Sequence, residues 1–197
     1  MENLIVKLIK KNNPYKNNCI KNDDWGEIII SYGNKILLDW EWGLLEFIEW
    51  FNEKKGKLAQ NLFPQDPPFI FVNSIAESRD ILYSVEFSDE EINKHQDVIY
   101  LEKLANYFSD HHFHLRGTLT PSFYIGLNIH GKGEISYGFN LDHTGKISYG
   151  LNVNDLGETI YVDNNKYCSY IFNMSDFINT LEKEIKNLSI INNYSEN

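Results

Sequence analysis

The sequence predicts an α+β fold: an antiparallel sheet with a C-terminal-half β-meander, packed against about three helices. A twelve-residue repeat is the first observation, running Phe123-Tyr124-Ile125-Gly126-Leu127-Asn128-Ile129, Ile135-Ser136-Tyr137-Gly138-Phe139-Asn140-Leu141 and Ile147-Ser148-Tyr149-Gly150-Leu151-Asn152-Val153, with a degraded copy at Gly157-Glu158-Thr159-Ile160-Tyr161. The second is a strand–turn–strand pattern near the N-terminus, and the third is a set of amphipathic segments between and after the strands.

Within each repeat the side chains alternate. Ile135, Tyr137, Phe139 and Leu141 fall on one face, and Ser136, Gly138 and Asn140 on the other, as a strand with one buried face requires. The connectors end in Gly133, Gly145 and Gly157, which suits three-residue hairpins closing on a left-handed residue. That geometry sets Leu141 against Ile147, Gly138 against Gly150 and Gly126 against Gly138. A row of glycines then crosses the sheet. It leaves either a groove lined by Asn128, Ser136, Gly138, Asn140, Ser148 and Asn152 or a seat for a closely packed helix.

Elsewhere, Leu4, Val6 and Leu8 alternate along a first strand. Trp25–Tyr32, the turn Gly33-Asn34 and Lys35–Trp40 read as a hairpin. Leu44, Phe47, Ile48 and Phe51 recur at helical spacing up to Gly56. Phe69–Val72 and Asp80–Phe87 read as short strands. Ser88 with Glu91 reads as a capping box before a helix through Phe108, and Ser175-Asp176 as the cap of a last helix. One domain over 1–197 is expected. Residues 1–63 hold the hairpin and a Trp-rich helix; 69–188 hold strands, helix, meander and C-terminal helix; 189–197 form a frayed tail.

Composition narrows the function. Hydrophobic residues make up 42% and aromatic residues 14%, enough for a sizeable core. The formal charge of −10 argues against nucleic acid, which needs clustered Lys and Arg, and favours a basic partner. No apolar run is long enough to span a bilayer, and Met1–Lys7 does not read as a signal peptide, so a cytoplasmic, non-membrane protein is expected. Cys19 and Cys168 have no zinc-like spacing. Phosphate-loop, nucleophile-elbow and zincin motifs are missing from the sequence, so no cofactor and no catalytic residue is expected.

Two constellations remain. Asp110, His112 and His114 would share a face if 110–114 were a strand, and paired imidazoles with a carboxylate are a way to hold a metal. A polar strand leading into the sheet explains the same residues without one. The second constellation is Asp39, Glu41 and Trp42 leading into a helix with Glu46, Glu49 and Glu53 along one stripe. It is either a solvated face or an acidic, aromatic docking surface.

The run Asp39–Phe51 resembles the Trp-rich helix opening of small bacterial proteins encoded beside polymorphic or contact-dependent toxins. His114–Gly117, Tyr124–Asn128, Gly133–Ser136 and Phe172–Ile178 are similar to further pieces of such immunity proteins, so the likeness touches about half of the chain. The resemblance implies a non-enzymatic cytoplasmic inhibitor that binds a cognate toxin domain. A metal-dependent enzyme built on Asp110, His112 and His114, or a small-ligand binder using the glycine groove, are the alternatives.

Overall fold

The computed structural model describes residues 2–14, 24–64, 74–84, 95–115, 122–141, 147–148, 152–153, 159–160 and 166–194. In chain order they form β1 (Leu4–Lys10), β2 (Trp25–Tyr32), β3 (Lys35–Gly43), α1 (Leu44–Gln60), α2 (Ile75–Ser84), α3 (His95–His111), β4 (His112–Phe113), β5 (Phe123–Leu127), β6 (Gly133–Leu141), β7 (Ile147–Ser148), β8 (Asn152–Val153), β9 (Thr159–Ile160), β10 (Lys166–Phe172) and α4 (Met174–Tyr194). The fold is α+β with antiparallel sheets, as the alternation predicted. The chain packs as two compact units, Met1–Ala59 with Phe172–Asn197, and Gln60–Ile171. The C-terminal helix belongs with the N-terminal hairpin rather than with the meander before it.

In the first unit the strand order is β1-β2-β3. Leu4, Val6, Leu8, Ile28, Ile30 and Leu38 are buried on one face. Leu44 of α1 sits over Gly26, so closely that a Cβ there would meet its Cδ1 at 2.5 Å. α4 runs beside β1, where Glu184 Oε1 accepts from Leu8 N at 3.3 Å. Phe177 of α4 meets Phe51 edge-on at 6.4 Å and Phe172 at 5.4 Å. Gly33, with φ 55°, supplies the left-handed residue that a two-residue hairpin turn needs.

β3 carries a bulge. Ser31 pairs with Ile36, yet Ile30 pairs with Leu38, so Leu37 is the extra residue, and both leucines are buried. From Leu38 onward the strand has exchanged faces, so Glu41 lies opposite Glu27 and Trp40 opposite Ile28. β3 also runs on to Gly43, which puts Asp39–Trp42 on a strand rather than on a helix lead-in. α1 begins when Leu44 N donates to Asp24 O at 2.8 Å and Leu45 N to Asp24 Oδ2 at 3.3 Å.

Two helix ends differ from the sequence reading. α1 continues through Gly56 to Gln60, and nothing lies within 4 Å of the missing Gly56 side chain. Gly56→Ala is therefore expected to stabilise the protein by about 0.5–1 kcal/mol, seen as a higher urea midpoint; no gain would argue against a continuous helix. α4 is capped by Asn173, whose Oδ1 accepts from Asp176 N at 3.2 Å, and it extends to Tyr194 instead of fraying after Ser189.

In the second unit the strand order is β10-β6-β5-β4, with β7 paired to β6 and a separate β8–β9 pair. Residues 80–84, expected in a strand, belong to α2. Ser74 starts that helix: its Oγ accepts from Glu77 N at 3.0 Å and its carbonyl from Ser78 N at 3.0 Å. The β6 residues Glu134 and Ser136 then accept from Ile75 N at 2.8 Å and Ala76 N at 2.9 Å. The strand expected at Phe69–Val72 and the capping box expected at Ser88 and Glu91 lie outside the described residues.

The meander has the expected order but not the expected register throughout. Leu141 pairs with Ile147 as predicted, whereas Gly126 faces Glu134 and not Gly138. Asn128 causes the difference. Its N–H donates to Lys132 O at 2.9 Å, and its Oδ1 accepts from His130 N at 2.9 Å and Lys132 N at 3.1 Å. The hairpin thus closes on Ile129–Gly131, with Gly131 at φ 70° as the left-handed residue, and Gly133 enters the strand. An aligned row of three glycines is not formed: Gly126 is out of line, and Gly150 lies outside the described residues.

Candidate functional site

The groove expected along the glycines is filled by protein. Tyr107 and His111 of α3 lie on Gly126, and Tyr167 lies beside Gly138, where a Cβ would find its Cε1 at 3.2 Å. Ser136 is fully buried and spent on the start of α2. Asn128 is occupied in closing the hairpin. Of Asn140, Ser148 and Asn152 the structure describes the backbone, with Asn140 opposite Ser148. A seat for helices, not an open trough, is what the small residues of β5 and β6 provide.

Behind that seat is a buried polar network. Glu134 takes Ile75 N–H, and Ser169, Asn128 and Ser136 also bond to it; burial is the main reason its carboxyl is pushed above the usual range, and these hydrogen bonds oppose the shift. Tyr107 donates to Leu127 O at 2.9 Å, and its hydroxyl is pushed strongly upward by burial and then by the charge of Glu134. His111 stacks on Tyr107 at 3.8 Å, with Nδ1 2.7 Å from Tyr107 O. Phe63, Leu104, Phe108 and Tyr124 close the core around it. Committed inside the core, these groups read as structural.

The expected sharing of one strand face by Asp110, His112 and His114 does not occur. Asp110 belongs to the last turn of α3 and lines an open cleft of about 500 Å³ with Leu62, Lys103 and Tyr107. His112 and His114 instead continue from β4 with parallel rings 6.3 Å apart. Among the described residues no three His, Cys, Asp or Glu side chains are grouped to hold a metal ion. No helix among them is long and apolar enough to cross a membrane.

In the first unit the bulge gathers the acidic residues. Glu27, Asp39 and Glu41 share the face of the sheet opposite its buried leucines, Glu27 directly across from Glu41. Lys11 reaches both glutamates, at 3.0 Å and 2.7 Å. Its ammonium pKa is raised by the hydrogen bonds to Glu41 and Glu27, and the Glu41 carboxyl is lowered by the same contact. Asp39 is raised, first by burial and then by the neighbouring Glu27 charge. Three carboxylates outnumber the two ammonium groups of the face, Lys11 and Lys7, the latter opposite Ile29, and leave it negative.

No family model, curated protein or solved structure matches the chain.

The helix stripe expected to carry the acidic surface is partly engaged already. Trp42 Nε1 donates to Glu46 Oε2 at 2.8 Å, and Glu53 pairs with Lys54 at 2.8 Å, while Glu49 is exposed. Ile36, 60% exposed, shares the face of the acids, whereas Trp40, 40% exposed, stands opposite Ile28 on the leucine side. Sequence reasoning placed Asp39, Glu41 and Trp42 at the site but missed Glu27 and Lys11. Alternation alone would have set Glu27 against Trp40; only the bulge brings it to Glu41.

Proposed function

We propose that the chain is a non-enzymatic protein-binding module that holds a basic partner on the β2–β3 hairpin, in the manner of an immunity protein neutralising a cognate toxin domain. The observation that carries this reading is the convergence of Glu27, Asp39 and Glu41 on one sheet face, where Ile36 also stands exposed. An exposed apolar anchor gives such a surface affinity, and surplus charge gives it speed of encounter and selectivity. Asp39 supports the sign of the partner. Partial desolvation and then the Glu27 charge disfavour its carboxylate, and an incoming Lys or Arg would offset the Glu27 charge.

The test is co-expression with the protein encoded by the adjacent gene, scored by co-purification and by rescue of growth. Asp39→Lys with Glu41→Lys is expected to weaken binding at least about 100-fold and to abolish rescue, since like charges then face the partner. Ile36→Ala should weaken binding about threefold, mainly in dissociation rate. Unchanged binding by the charge-reversed protein, with its fold intact by circular dichroism, would refute the hairpin as the contact surface.

A further inference from the structure

The second unit places an arginine beside two histidines. Arg79 of α2 donates through Nη1 to the Tyr124 hydroxyl, and its guanidinium carbon lies 5.4 Å from the centre of the Tyr124 ring. His112 stacks on that ring at 5.1 Å and 24°, and His114 lies parallel to His112 at 6.3 Å. Basic side chains from α2, from β4 and from the residue beyond β4 are thus ordered around one buried tyrosine. All three are half-buried, so a small solute can reach them while water screens them weakly.

We infer that Arg79, His112 and His114 form an oxyanion site at the β4 edge that takes a phosphate group. A guanidinium presents planar donors matched to phosphate oxygens, and a neutral imidazole adds one N–H donor. The permanent charge of Arg79 weighs against a second cation on the same imidazoles, so the site favours an anion over the metal ion that the His-x-His pattern alone suggests. The electrostatics agree. His112 is held down at about 4 by burial first, and then by the like charges of Arg79 and His114; a bound phosphate anion would oppose both charge effects. The site is in the other compact unit from the acidic hairpin and does not depend on the function proposed for that surface.

The experiment is an NMR titration of the full chain with inorganic phosphate and, separately, with phenyl phosphate, each against sodium chloride of equal ionic strength. Saturable shifts of the His112 and His114 imidazole signals are expected with phosphate and not with chloride. The His112 titration midpoint should rise by about one unit at saturation, which corresponds to tenfold tighter binding to the imidazolium form. Tighter binding of phenyl phosphate would identify a phosphomonoester as the ligand class, and equal binding would identify the free anion. Arg79→Met should abolish the response with the fold retained. If that variant does not fold, Arg79→Lys, which keeps the charge and loses the planar fork, should weaken the response about tenfold. Histidine signals that follow phosphate no more than chloride would overturn the proposal, as would a response unchanged in a folded Arg79 variant.

Discussion

Gly126→Val is expected to destabilise the protein by about 3 kcal/mol or more, at the upper end of what overpacking a core costs. The position has no room for even one carbon: a Cβ on Gly126 would run into the Tyr107 hydroxyl and approach His111 Cδ2 at 2.7 Å. Neither ring is free to yield. Tyr107 is tied by its hydroxyl to Leu127 O, on the same strand as Gly126, and His111 is held against Tyr107 by stacking and by a 2.7 Å contact with its carbonyl. Urea denaturation followed by circular dichroism would measure the loss, with Gly126→Ala falling between the two. Parental stability in the valine variant would mean that α3 does not pack on β5 as described.

Glu134→Ala is the second large effect, a loss of about 3 kcal/mol. The substitution strands the buried Ile75 N–H at the start of α2, together with the groups of Ser169, Asn128 and Ser136 that bond to the carboxylate. Glu134→Gln keeps an acceptor of the same shape and should cost much less. Acidity separates the two variants further. The folded carboxyl sits above its ordinary value of 4.5, so the folded state holds the proton more tightly than the unfolded chain. The contribution of Glu134 to stability is therefore largest below that value and declines as pH rises through the folded pKa. Denaturation at about pH 4 and about pH 7 should show Glu134→Gln gaining on the parent as pH rises. A difference that is constant with pH would mean that the carboxyl is not buried in this way.

What the sequence made legible follows from how local each determinant is. Alternation in Leu4–Leu8 and Ile28–Ile30, the Gly33 turn and the helical spacing of Phe47 and Phe51 are local, and those elements stand where they were expected. α2 was misread because two of the groups that satisfy its first N–H donors come from Glu134 and Ser136, roughly sixty residues away. The Asn128 turn was misread because its side chain competes with the glycine that follows it, a contest that composition does not decide. At the candidate sites the residue types were visible and their partners were not. Asp110 was grouped with the histidines by spacing, while Arg79, which lies next to them in space, is separated from them in sequence by the rest of α2 and the whole of α3.

The bulge at Leu37 has a reach greater than its size. In an uninterrupted ladder Asp39 would point toward the leucine core and Trp40 toward water. One additional residue reverses that assignment for the rest of the strand, so the chemistry of an entire surface is a matter of phase rather than of composition. A sequence drifting under selection could keep every acid and every tryptophan of this hairpin and still turn its outside in by losing a single codon.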